Sequence, residues 1–369
     1  MKKRISISLI LLLFVFPALF CNCQRSKAQW QGKIERHNSV VVVKNPIDPI
    51  YGKEIFSLEE ELSVGVKEGP KEYMFSQVRD IDVDGDGNMY VLDQKESQIK
   101  MFDRNGRYLR TIGRRGQGPG ELGSAYFLSL TAQRHLIVED VRGRRMVFFT
   151  LEGEFIKNLI SARNFFVGSK VDSKECFYGI MPIQDENPHY ELRKFDPNLE
   201  VLHTVISSPS VLTQQKTYKV YSPMITFDLD KDDNIVFGYP ETYEINIYDP
   251  AGKPVQKITK IFKPVEISVE EKEEVANRQP PPGYTFDIPK FHSAFQGLLV
   301  DDQSRIYVCT WEKDDGKYYH DIFTPDGKYL AKVLLNFTPV VIKKNKIYAI
   351  ETDEEGYQKV KRYQIVWSY

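Results

Sequence analysis

Apolar and polar residues alternate along most of this chain in short runs, and each run stops at a cluster of Asp, Asn, Gly or Pro. Residues 81–93, Ile-Asp-Val-Asp-Gly-Asp-Gly-Asn-Met-Tyr-Val-Leu-Asp, read as strand, turn and strand, and residues 98–112 repeat the arrangement around Asn105 and Gly106. Alternation at a period of two marks half-buried strands, and turn dipeptides between such runs mark hairpins.

The unit recurs. Its second strand returns at residues 135–140, 176–180, 234–238, 305–309 and 346–350. Its third strand, with the turn that follows, returns at 146–153, 192–198, 245–252 and 320–327, and a last copy at 360–367 runs out at the terminus. One aromatic anchors each third strand: Phe102, Phe149, Phe195, Tyr248, Phe323 and Tyr363, at intervals of 47, 46, 53, 75 and 40 residues. A period near 45 with four strands per unit is that of a β-propeller blade, and a helix-like acidic stretch (266–277) followed by Pro280-Pro281-Pro282-Gly283 marks an insertion at 263–290 that lengthens one interval. Six anchors predict an all-β, six-bladed propeller of four-stranded blades over residues 34–369. The last blade has only three strands after Phe337, so an N-terminal strand, 54–64 or 40–43, is expected to complete it and remove open sheet edges. The competing count is seven blades, with 34–68 forming its own.

On this pattern the chain resembles the NHL-type six-bladed propellers. The run at 111–122, Thr-Ile-Gly-Arg-Arg-Gly-Gln-Gly-Pro-Gly-Glu-Leu, is similar to a segment of bacterial six-bladed β-propeller envelope proteins. The resemblance implies fold and compartment, and no activity follows from it.

The first twenty residues break the pattern. Lys2, Lys3 and Arg4 precede an apolar run from Ile5 to Phe20, too short at about 1.5 Å per residue to cross a bilayer core of about 30 Å. This is an export signal. Cys21, or Cys23, then stands where a bacterial lipoprotein is acylated, which predicts a lipid anchor in the bacterial cell envelope and a tether over 21–33. The residue before Cys21 is Phe20, where the lipoprotein pattern has a small one. Removing residues 1–20 takes three positive charges from a chain of net charge −1, leaving −4, so no nucleic-acid partner is expected. Four cysteines among 369 residues do not make a disulfide scaffold. Cys176 and Cys309 fall in second strands that the count assigns to blades four and six, and are expected as separate free thiols.

Blade geometry sorts the loops onto two faces. The turns between strands one and two, and three and four, are short and alike. The opposite face collects the irregular loops at 113–126, 207–219, 263–290 and 311–317, where ligand sites usually sit. On that face Arg114, Arg115, Arg142, Arg144 and Arg145 suggest a fork of guanidinium groups for an anionic ligand, a carboxylate or phosphate; a basic rim paired to Glu121, Glu139 and Asp140 is the bland alternative. Second strands end at Asp93, Asp140, Met181, Tyr239, Thr310 and Glu351, which should approach the channel mouth. Asp82, Asp84 and Asp86 imitate a calcium loop, but similar turns at 230–234 and 301–305 favour turn chemistry over a divalent metal, and no other cofactor is expected. Of the histidines, His189 and His292 fall on the irregular face. Three functions are therefore in view: an envelope binding or scaffolding module for a small anionic molecule or an envelope protein, a metal-assisted hydrolase or lyase of lactonase type at the channel mouth, and a protein-docking role for the insertion.

Overall fold

The computed structural model describes residues 29–52, 55–160, 166–213 and 215–368. The export-signal segment 1–20, the candidate acylation sites Cys21 and Cys23, and the tether up to residue 28 lie outside the described residues; the rest of the expected tether is described, and Lys33 already begins a strand.

Six sheets follow one another along the chain, each with a four-stranded antiparallel blade, and the fourth is extended to six strands. Blade 1 comprises Val78–Val83, Met89–Asp93, Gln98–Phe102 and Tyr108–Ile112. Blade 2 runs from Ala125–Leu130 to Phe155–Ile160, blade 3 from Val167–Val171 to Val201–Pro209, and blade 4 from Thr226–Leu229 to Pro254–Lys260. Blade 5 runs from Gly297–Val300 to Tyr329–Leu335. Blade 6 starts with Pro339–Lys343, Lys346–Thr352 and Gln358–Trp367, and its outermost strand is Phe56–Val64 from the other end of the chain. First strands touch first strands from blade 1 to blade 6 and back to blade 1, which closes the wheel around a central channel. Phe56 pairs with Trp367 and Val64 with Val360 at the seam.

The anchors sit where the spacing puts them, in third strands, and Phe102, Phe149, Phe195 and Phe323 are buried between blades. Most turns are held by one device. The Asp84 carboxylate accepts the Asp86 and Asn88 amides at 2.8 and 2.9 Å, and Asp103, Asp172, Asp196, Asp230, Asp249, Asp301 and Asp353 each accept two amides in the same way. Such Asx turns explain why Asp opens so many of the turns. Gly106 needs its glycine: φ is +78°, and a Cβ would stand 2.8 Å from a Leu62 methyl of the closing strand.

The seven-blade count fails because residues 33–64 divide between two blades. Val40–Asn45 is not the closing strand. It adds in parallel to the outer edge of blade 4, with Lys33–His37 outside it. The helix in the insertion is Val269–Ala276, capped by a reciprocal Ser268–Glu271 pair. Cys176 and Cys309 belong to blades 3 and 5, since the anchors that follow them are the third and fifth, and both are free thiols. Among the described residues no helix is long and apolar enough to cross a membrane.

Candidate functional site

The five arginines do not assemble into a fork. Arg145 is buried, and its guanidinium is spent on Asp140 at 2.9 Å and on the Gln117 and Glu121 carbonyls at 3.0 and 2.8 Å. Arg114 is paired with Glu121 at 2.9 Å, and Arg115 donates to the Lys95 carbonyl. Arg142 and Arg144 are exposed. The amides of the glycine run are occupied too: Gly116 donates to the Leu122 carbonyl, and Gly118 to the Glu121 carboxylate. The run is therefore a clasp between blades 1 and 2, fastened by Arg145, and leaves no donor nest for an anion.

The acids ending second strands are also structural. Asp93 is fully buried and accepts the Ser76 and Gln77 amides at 2.9 and 3.0 Å; Asp140 accepts those of Gly123 and Ser124 at 3.0 and 2.7 Å. Each carboxylate thus pins the loop that leads into its own blade. Glu351 bonds the Tyr363 hydroxyl and Lys361, and Tyr239 packs with the cluster around Tyr178 and Phe237. None of Asp93, Asp140, Tyr239 and Glu351 lines the channel cavity. Of the proposed metal loop, Asp82 turns to Lys343 (2.5 Å) and the Leu130 amide, while Asp84 is consumed by its own turn. These three carboxylates therefore do not converge on one point. Among the described residues no three His, Cys, Asp or Glu groups do.

What the fold does build is a chamber of about 410 Å³ in the central channel, walled by the first strands of all six blades. The lining takes the middle and later residues of each strand and, in blades 4 and 5, the start of the next turn, so the chamber lies toward the short-turn face, opposite the irregular loops. A first strand has a free edge, and its amides need acceptors. Carboxylates from the preceding blade supply them. Asp80 accepts the Leu128 amide at 2.9 Å, Asp82 that of Leu130 at 2.8 Å, and Asp228 that of Val300 at 3.0 Å. Glu139 accepts both the amide and the hydroxyl of Ser169, at 3.0 and 2.8 Å.

Charge in the chamber is unevenly matched. Lys170 pairs with Asp228 at 3.0 Å, Lys343 with Asp82, and Lys231 with Asp232. Burial works against the Lys170 charge, yet Asp228, Asp80 and Asp82 hold its ammonium above the ordinary lysine value. Asp80, Asp230 and Asp302 line the chamber with no ion pair among the described residues. Asp80 keeps some surface on the lumen, but the lumen is itself walled by protein, and burial pushes its carboxyl up to about 7 against the pull of the Leu128 amide and Lys170. Burial likewise raises Glu139 to about 7, and its second oxygen has no hydrogen-bond partner among the described residues. The sequence carried one sign of this site, charged residues inside otherwise apolar first strands, as in Val78-Arg-Asp-Ile-Asp-Val83.

The match to known families decides the classification. Residues 66–276, more than half of the chain, match a family described as 6-bladed beta-propeller. The chain belongs to that family. No curated protein matches it. Among solved structures, this propeller is similar to a Bacteroides fragilis protein thought to be exported, at 10% identity and a TM-score of 0.58, covering 89% of this chain and 100% of that one. A Bacteroides vulgatus protein of the DUF4221 family is 11% identical with a TM-score of 0.57, covering 86% and 100%. A gluconolactonase from Xanthomonas campestris aligns at 10% identity and 0.46, covering 78% and 86%. At such identities the likeness is one of fold.

Proposed function

We propose that this propeller is an exported binding module of the bacterial envelope, tethered through an acylated Cys21 or Cys23, and that its ligand sits in the central chamber. The observation that carries the reading is the chamber itself: a concave polar site of about 410 Å³ to which every blade contributes, within the range of small-molecule pockets. Its unpaired groups are carboxylates, since each lining lysine already has an acid partner. The ligand this favours is a small molecule bearing an ammonium group, in place of the anion suggested by the arginines. Asp80, free of ion pairs and open to the lumen, is the group placed to receive it.

Titration calorimetry with small amines, beginning with the diamine putrescine, tests the assignment. Binding should weaken at least tenfold in Asp80→Asn. Binding of small carboxylates that ignores Asp80 defeats it. Export and anchoring are tested separately, by fractionation and mass analysis of the mature protein: Cys21→Ser with Cys23→Ser should release it from the membrane. The hydrolase reading requires an ion held by several side chains, and the carboxylates it would use are committed to amides and lysines. Binding is therefore the better-supported role.

A further inference from the structure

The charges lining the central chamber do not balance, and the imbalance describes the ligand more closely than one ammonium group does. Six aspartates and three lysines stand in the lining. Asp82 is paired with Lys343, Asp228 with Lys170 and Asp301 with Arg305, while Lys231 turns to Asp232 outside the lining. Asp80, Asp230 and Asp302 are left without a cation among the described residues. A ligand with a single ammonium would answer only one of the three.

These carboxylates stand at two depths. First strands run along the channel, and Val83 and Val300 are the last residues of theirs, paired with Met89 and Ile306. Asp80 precedes Val83 by three residues and lies inside the channel, whereas Asp302 follows Val300 by two and is exposed in the turn at the mouth. Asp230 comes directly after Leu229, where its own first strand ends, so it too belongs to the mouth. Three residues of strand at about 3.3 Å each put roughly 10 Å or more of depth between the inner and the outer level.

Both levels keep acceptor capacity. Asp80 takes the Ile81 amide on one oxygen and the Leu128 amide on the other, each at 2.9 Å, and Asp302 takes the Lys344 amide on Oδ2 at 2.7 Å. Every carboxylate oxygen has a second lone pair, so each group can still receive an ammonium. Asp230 is enclosed by the Asp232 and Asn234 amides and the Asn234 side chain, and adds charge more than contact. Between the levels the wall includes Leu128, Leu130, Leu229, Val300 and Ile342, surface that suits methylene groups. Building on the amine-binding reading above, we propose that the chamber takes a long linear diamine or polyamine, with one end ammonium on Asp80, the other on Asp302 at the mouth, and the methylene chain against the apolar wall. An extended chain gains about 1.25 Å per bond, so eight methylenes hold two nitrogens about 11 Å apart, while the four of putrescine reach only about 6 Å.

Titration calorimetry on the full chain with octane-1,8-diamine, putrescine and n-octylamine tests this, at pH 8 so that the Asp80 carboxyl, at about 7, is ionised. Octane-1,8-diamine should bind at least tenfold tighter than either of the others. Asp302→Asn keeps an acceptor for the Lys344 amide but removes the outer charge, and should abolish that advantage. Asp80→Asn should weaken all three amines. If octane-1,8-diamine binds no tighter than octylamine or putrescine, or if its advantage survives Asp302→Asn, the two-ended ligand is overturned while amine binding at Asp80 stands. If none of the three binds, both readings fall together.

Discussion

Asp321 shows how single residues hold blades together. Its carboxylate is fully buried and receives the Lys260 ammonium at 2.8 Å and the Tyr243 and Tyr329 hydroxyls at 2.6 and 2.5 Å, while the ammonium lies over both tyrosine rings. Removing one partner of such a pair strands the other charge in the interior, so Asp321→Ala should cost about 3–5 kcal/mol in urea unfolding. A loss below about 1 kcal/mol, the worth of a surface pair, would show that the charge reaches water. The adjacent His320 makes a pH prediction. Burial lowers it to about 4, and its Nε2 has no hydrogen-bond partner among the described residues. Between that value and the unfolded value of about 6.5 the unfolded chain binds the extra proton, so the neutral ring's contribution to stability is lost as pH falls through this window. His320→Leu should flatten the slope of unfolding free energy between pH 6.5 and 4; an unchanged slope would refute it.

At the scale of strands, the acids that bond neighbouring first strands reverse the usual carboxylate behaviour. Asp80 and Glu139 have pKa values raised to about 7, so in the folded state they hold protons that the unfolded chain has released above about pH 4. Their contribution therefore makes the protein less stable as pH rises from about 4 to 7. The double variant Asp80→Asn, Glu139→Gln should lose less stability than the native chain over that interval, as measured by thermal melts; a parallel pair of curves would rule this out. The strands themselves were legible because turn chemistry is local: Asp84 and Asn88, or Asp103 and Gly106, sit within one hairpin. The chamber was not, because the partner of Asp80 is the amide of Leu128, 48 residues away on a neighbouring blade. Asp93 and Asp140 misled for a related reason. They do end their strands, as the pattern predicts, but their carboxylates turn back to the loop entering the same blade, and no periodicity records that direction. The arginines misled because Arg145 looks like its exposed neighbours in sequence, while only the fold carries it under the glycine run.

At the scale of the wheel, the expectation that the two ends meet in one blade holds, with Phe56–Val64 as the closing strand. The other N-terminal segment found a different use. Asn45 is buried and accepts the Tyr329 amide at 2.7 Å while donating to the Gly327 carbonyl at 2.9 Å, so the added strand on blade 4 also fastens to blade 5. The seam has a kinetic consequence. The ribbon Phe56–Val64 must wait for a partner made about 300 residues later, and pairings so remote in sequence carry a large loop-closure cost that slows folding. Because Phe56 lies opposite Trp367, and the Ser368 amide already reaches the Ile55 carbonyl at 2.8 Å, a two-residue turn joining Ser368 to Ile55 would convert the seam into an ordinary hairpin. A circular permutant made this way, opened between Val64 and Val78, leaves out residues 1–54 and should refold faster in stopped-flow fluorescence than a linear chain that begins at Ile55 and so lacks the same two added strands. Equal rates would place the slow step elsewhere in the ring.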